Sequence, residues 1–168
     1  CRTYRRSQRS GWYTLDMEAV DSFVASEEAD PALLIERWEE DQLVQAAIAA
    51  CHARAAKAAD TDWREIARLY DVLADGFPSP VVELNRAVAH GMAFGPAAGL
   101  DLLAPLADHP AMKSYHLLPS VRGDLLQKLG RLADARAAFE LAAGLAGNRR
   151  ERELLQRRAA DAAEAMRP

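Results

Sequence analysis

The groups able to do chemistry in this chain are few and scattered. It has four histidines, His52, His90, His109 and His116, and two cysteines, Cys1 and Cys51. A helix that grips zinc presents histidines four residues apart, and no two of these histidines have that spacing. Cys51 and His52 are adjacent, so on a helix they point about 100° apart. A Cys51 nucleophile would need a histidine brought to it by the fold, and most buried cysteines are inert core residues. Asp60 and Asp62 are better helix caps than an acid and base pair. The glycines fall singly at helix ends, which leaves no loop to cradle a phosphate. The expectation is a chain without a catalytic centre, a metal or a cofactor.

What remains is polar chemistry on otherwise apolar helices. Asn85 and Arg86 lie inside a helix whose apolar face is already assigned, so they either find partners within the fold or face a groove. Tyr115, His116, Arg122 and Asp124 pose the same choice. In one reading Arg122 or His116 is satisfied by local carbonyls and carboxylates. In the other they line a groove for a peptide or linker, where Tyr and Arg are the usual hot spots. With Tyr70, these residues are the candidate interaction surface.

The elements that must position them are helical. Gly123 to Gly147 spells a helix, a turn at Gly130 and a second helix, with Val121, Leu125, Leu126 and Leu129 on the first and Leu132, Ala135, Phe139, Ala142 and Leu145 on the second. The turns at Thr61, Gly95 and Gly130 fall 34 and 35 residues apart, each opening a segment of helical apolar spacing. A period of that size means stacked helical hairpins. Upstream, Leu43, Ala46, Ala47 and Ala50 form a stripe on a helix running to about Lys57. Trp63, Ile66, Leu69, Tyr70 and Leu73 line the next helix, with Asp62 and Glu65 in capping-box spacing. Ser79-Pro80 and Gly95-Pro96 each start a helix with proline in the first turn. Leu100, Leu103 and Leu106 share one helix that ends at Asp108-His109-Pro110, and Asn148 with Glu151 caps the last. Short loops make successive helices antiparallel neighbours.

Composition agrees with an all-α chain. Of 168 residues half are apolar, and the excess is Ala and Leu rather than β-branched or aromatic residues. A net charge of −4 argues against a surface built for nucleic acid as a whole. No apolar run approaches the roughly 20 residues of a membrane span, no signal peptide is evident, and the cysteines give no disulfide framework, so a cytoplasmic location is expected. Charge divides the chain: residues 1–15 carry four arginines and no acid, whereas 16–45 carry ten acids against the single base Arg37. Two segments are expected, a basic then acidic helical region over 1–41, with a break at Asp30-Pro31, and a repeat domain over 42–168. A chain starting at Cys1 rather than Met reads as a piece of a longer protein.

Within the last hairpin, Gly123 followed by Ala135, Phe139 and Ala142 resembles the tetratricopeptide repeat, in which small residues let two helices approach and an aromatic fills the gap. Tyr70 and Pro78 stand at the aromatic and closing-proline positions of the first unit. The second has Ala104 at the aromatic position, so its packing must differ. A wider resemblance covers about residues 43 to 157. The succession LVQAAIAACHARA, DTDWREIARLYDVL, SPVVELNRAVA, GPAAGLDLL, YHLLPSVRGDLLQKLGR and AGNRRERELLQRR is similar to the C-terminal extension of a group of bacterial extracytoplasmic-function sigma factors. There a tetratricopeptide-like region follows the DNA- and polymerase-binding domains.

The resemblance implies an α-solenoid of stacked antiparallel hairpins and a non-enzymatic interaction domain that supports or regulates transcription initiation. Its partners would be core RNA polymerase, its own sigma domains or a regulatory protein. Residues 1–40 depart from the short Asp-Arg-Ser-Arg-Trp-like segment that normally precedes the extension. A helix-turn-helix that could read a promoter is also missing, so direct DNA binding by this chain is not expected. Two alternatives stay open: a free-standing helical scaffold unrelated to transcription, and a ligand-binding helical domain, which needs an enclosed pocket with convergent polar groups.

Overall fold

The fold comes from a computed structural model that describes residues 31–55 and 57–167, with side chains from Asp41 onward apart from Ala58. Every regular element among these residues is helical. The arginine run of residues 2–9 and the acidic stretch 16–30 lie outside the described residues. The chain divides into two compact units, the second being Trp63–Pro168.

In the first unit, helix α1 spans Pro31–Arg54 and a short 3-10 turn follows at Ala58–Asp60. Proline opens α1 because the first turn has no intrahelical acceptor for its missing N–H. The helix passes without a break through residues 41 and 42, where the acidic region was expected to give way to the repeats. Among its described side chains, from Asp41 onward, the buried ones are Asp41 and Ile48, and Leu43 is 71 % exposed. The expected stripe of Leu43, Ala46, Ala47 and Ala50 is therefore not the buried face. That stripe held one large residue among alanines, which supply little driving force, and it left out an acid that can be buried when paired. Gln45 supplies the pairing, donating from Nε2 to both Asp41 carboxylate oxygens at 2.9 and 3.1 Å.

The second unit holds six α-helices: α2 (Trp63–Gly76), α3 (Pro80–Ala93), α4 (Pro96–Leu103), α5 (Leu117–Lys128), α6 (Leu132–Leu145) and α7 (Arg149–Glu164). Each packs against the next in sequence. Their starts follow the sequence signals. Ser79 is extended and accepts the Val82 N–H on its hydroxyl at 3.4 Å, with Pro80 behind it. Asn148 accepts the Glu151 N–H at 2.9 Å. Gly95 and Gly130 have φ of 103° and 74°, which side-chain-bearing residues rarely adopt. At Gly130 the N–H of Arg131 bonds Leu126 C=O and that of Gly130 bonds Gln127 C=O, both at 3.0 Å, the double bond of a Schellman stop.

Helix α4 is shorter than its leucine spacing suggests. It ends at Leu103, and Leu106 lies instead in a 3-10 turn, Ala104–Asp108, followed by a second at Pro110–Met112. Pro105 explains this, because it has no N–H to bond Asp101 C=O and its ring crowds that carbonyl. Leu129 also departs from expectation: it is 41 % exposed at the end of α5.

The core joining α5, α6 and α7 is built from small residues around one aromatic. Leu126, Ala135, Ala138, Phe139, Ala142, Ala143, Leu155 and Ala159 are buried together, with Leu100 of α4 against them. A Cβ on Gly123 would lie 2.6 to 2.9 Å from three ring carbons of Phe139, so only glycine lets α5 sit this close to α6. A second close approach joins α3 and α4. A Cβ on Gly99 would lie 2.7 Å from the Ala87 carbonyl oxygen and 3.0 Å from Gly91 Cα.

Candidate functional site

The candidate residues separate into two groups on different helix pairs. The first is organised by Asp71 on α2. Arg86 and His90, one turn apart on α3, both reach its Oδ1: Arg86 donates from Nε at 2.7 Å and His90 places Nε2 at 2.9 Å. A carboxylate only accepts, so His90 donates from Nε2 when Asp71 is ionised. Arg86 also donates to Glu83 at 3.4 Å. Burial alone pulls the Arg86 guanidinium down, but the Asp71 hydrogen bond and the Glu83 and Asp71 charges outweigh it and hold it above the usual arginine value.

This network continues to the surface. The His90 ring lies tilted against Phe94, 5.2 Å between centroids, and the Arg64 guanidinium sits 5.7 Å from the Phe94 centroid. Asn85, beside Arg86, is half-buried. The sequence gives no sign that Asp71 and His90 meet, because their pairing spans 19 residues and crosses between helices.

Tyr70 belongs to the core of this helix pair. It is 7 % exposed, and burial pushes its phenol well above the ordinary tyrosine range. The unfolded chain ionises Tyr70 near pH 10 while the folded chain holds it neutral, so its contribution to stability is full below pH 10 and lost above it. Wild-type stability should therefore fall more steeply than that of Tyr70→Phe above pH 10, by about 1.4 kcal/mol per pH unit. Urea unfolding of both proteins between pH 9 and 11 checks this, and parallel curves would contradict it.

The second group links α5 to α7. His116, just before α5, places Nε2 3.4 Å from Glu151 Oε2 in the first turn of α7, and its ring lies 6.2 Å from that of Tyr115. Glu151 thus turns its carboxylate toward His116, while its N–H takes the Asn148 cap. Two turns along α5, Asp124 pairs with Arg158 of α7. The Arg158 guanidinium lies 4.4 Å from the centroid of the buried Phe139 ring. Gly123, Phe139, Arg158 and Asp124 therefore form one stack through α5, α6 and α7. Arg122, two residues before Asp124, is exposed.

The Asp124 side chain is 15 % exposed, so its pair with Arg158 is shielded from water on most sides. Asp124→Ala should cost about 1–2 kcal/mol of stability and Asp124→Asn less, because the amide still accepts a hydrogen bond. Equal stability of all three proteins in urea would show that the pair holds nothing.

Among the described residues no three His, Cys, Asp or Glu side chains come together as metal ligands. Cys51 has a free, half-buried thiol, and burial lowers the basicity of His52 beside it. No helix among the described residues is long and apolar enough to cross a membrane. Chemically, both groups are paired charges and stacked rings that fix helices against each other. Tyr70, Asn85 and Arg86 fall with the first group, and Tyr115, His116 and Asp124 with the second.

No protein-family profile matches the chain. No solved structure matches it either. An uncharacterized protein of Rhizobium meliloti (strain 1021) is 48 % identical over 108 residues, which are 64 % of this chain and 25 % of that protein. The matched stretch is thus a quarter of that relative's length.

Proposed function

We propose that this chain is a tetratricopeptide-like interaction domain of an extracytoplasmic-function sigma factor. It supports or gates transcription initiation by holding core RNA polymerase, its own sigma domains or a regulator. The observation that carries the architectural half of the reading is the pairing register. Helices α2, α4 and α6 start 33 and 36 residues apart, and each is followed by a helix that packs against it. The close approach of Gly123 to Phe139 in the last hairpin supports it further, since a small residue facing an aromatic is how such repeats pack. The transcription half rests on the six ordered segments between residues 43 and 157. A non-enzymatic role suits the site chemistry, in which Arg86, Asp71, Asp124 and Arg158 are engaged with each other.

A domain of this kind works by presenting a surface, so its removal should act on assembly rather than on any bond-making step. Cutting the full-length gene product before Asp60 should abolish or deregulate promoter-dependent transcription in a reconstituted assay while its remaining domains stay folded. Unchanged transcription by the shortened, folded protein would remove the proposal.

A further inference from the structure

We propose that the outer face of α7 is a docking site for an acidic amphipathic helix of a protein partner. The inference deepens the reading of the chain as an interaction domain by assigning it a face and a partner chemistry, and it does not depend on which protein supplies the helix.

Helix α7 buries Leu155, Ala159 and Ala162 and turns the opposite side outward. Helical spacing puts Arg150, Leu154 and Arg157 on one outward stripe, at i, i+4 and i+7. All three are exposed, Leu154 to 50 %. The arginines around them have acceptors: Arg149 donates to Glu153 at 2.6 Å, Arg152 to Ala146 C=O at 2.9 Å, and Arg158 pairs with Asp124. Arg150 and Arg157 have no such partner among the described residues. Of the five guanidiniums on α7, the two without an acceptor among the described residues are therefore the two that bracket the exposed leucine.

Arg150 also works against its own helix. It is the second residue of α7, where the backbone dipole favours acids and disfavours cations. A cation there, with no partner among the described residues, costs its own helix stability.

The spacing specifies the partner. Arg150 and Arg157 stand about 10.5 Å apart along the axis. A second helix matches them with carboxylates at i and i+7 and an apolar residue at i+3 or i+4 to cover Leu154. Asp161, next on the same stripe and exposed, favours a base one turn further along the partner. Arginines rimming a desolvated apolar contact are the arrangement in which surface charges contribute most to binding.

The test uses residues 1–168 and a labelled helical peptide with Glu at i and i+7, Leu between them and Lys at i+11, read by fluorescence anisotropy at about 0.15 M salt. An isomer with the two glutamates moved to the opposite face should bind about tenfold more weakly or worse. Arg150→Glu combined with Arg157→Glu should abolish binding of the first peptide and create binding of one carrying Lys at i and i+7. Leu154→Ala should weaken it about tenfold. Thermal melting separates binding from folding: Arg150→Glu should leave Tm unchanged or raise it. Equal binding of the two isomers, absence of binding, or indifference to the double substitution would overturn the proposal. So would binding of a DNA duplex, or self-association, that depends on Arg150 and Arg157 while the peptide is ignored. Capture of sigma domains or core polymerase that survives the double substitution would overturn this face alone and leave the wider reading standing.

Discussion

Gly123→Ala is expected to destabilise the protein by about 1–3 kcal/mol, although alanine is the better helix former by about 1 kcal/mol. The new methyl would meet the Phe139 ring at 2.6, 2.7 and 2.9 Å. Phe139 is fully buried, with Arg158 lying over it, so the ring has no free space to move into. Gly123→Val adds two more carbons and should cost about 3 kcal/mol or more. Shortening the ring gives a cleaner test. Phe139→Leu should be destabilising alone, yet Gly123→Ala with Phe139→Leu should cost less than the sum of the single changes. Urea unfolding of the four proteins measures that coupling, and strict additivity would mean that glycine and ring do not touch.

The second large effect is at Gly99. Its Cβ would meet the Ala87 carbonyl oxygen at 2.7 Å and Gly91 Cα at 3.0 Å, and these are backbone atoms that cannot rotate aside. Accommodating even one methyl requires α3 and α4 to move apart, loosening the contact with Leu125, whose side chain also borders the site. Gly99→Ala should therefore cost about 2–3 kcal/mol. Gly144 supplies the control. It lies within α6 with nothing inside 4 Å of its Cβ position, so Gly144→Ala should stabilise by about 0.5–1 kcal/mol. The same substitution thus has opposite signs at two positions of one unit, and thermal melts that rank Gly99→Ala at or above Gly144→Ala would contradict the packing described here.

Local rules locate several helix ends, though not that of α4, which stops at Leu103 ahead of Pro105. Ser79, Gly130 and Asn148 cap or stop helices by bonds that span only a few residues, and the residue types that make those bonds stand in the sequence. The contact between Gly123 and Phe139 was also legible, because a repeat pattern ties their positions together. Contacts between unrelated positions were not. The approach of Gly99 to Gly91 depends on how closely two helices come together, and spacing along the chain carries no such distance. Asp71 is one of many acids in the sequence; only folding shows that Arg86 and His90 share it. Leu43 failed for a different reason: one leucine among alanines does not fix which side of a helix is buried. The candidate interaction residues stand out as polar groups on apolar helices. That criterion finds Arg86 and Asp124, which are held by partners, more readily than Arg150 and Arg157, which look like ordinary solvated charges until their neighbours' acceptors are known.

The most direct test of the interaction-domain reading is a pull-down with residues 1–168 as bait, offering core RNA polymerase and isolated sigma domains at moderate salt. Specific capture of either, retained when the arginine-rich first ten residues are removed, is the predicted result. Capture of neither by the folded chain, or capture that vanishes with those arginines, would contradict the assignment of this helical domain to the transcription machinery.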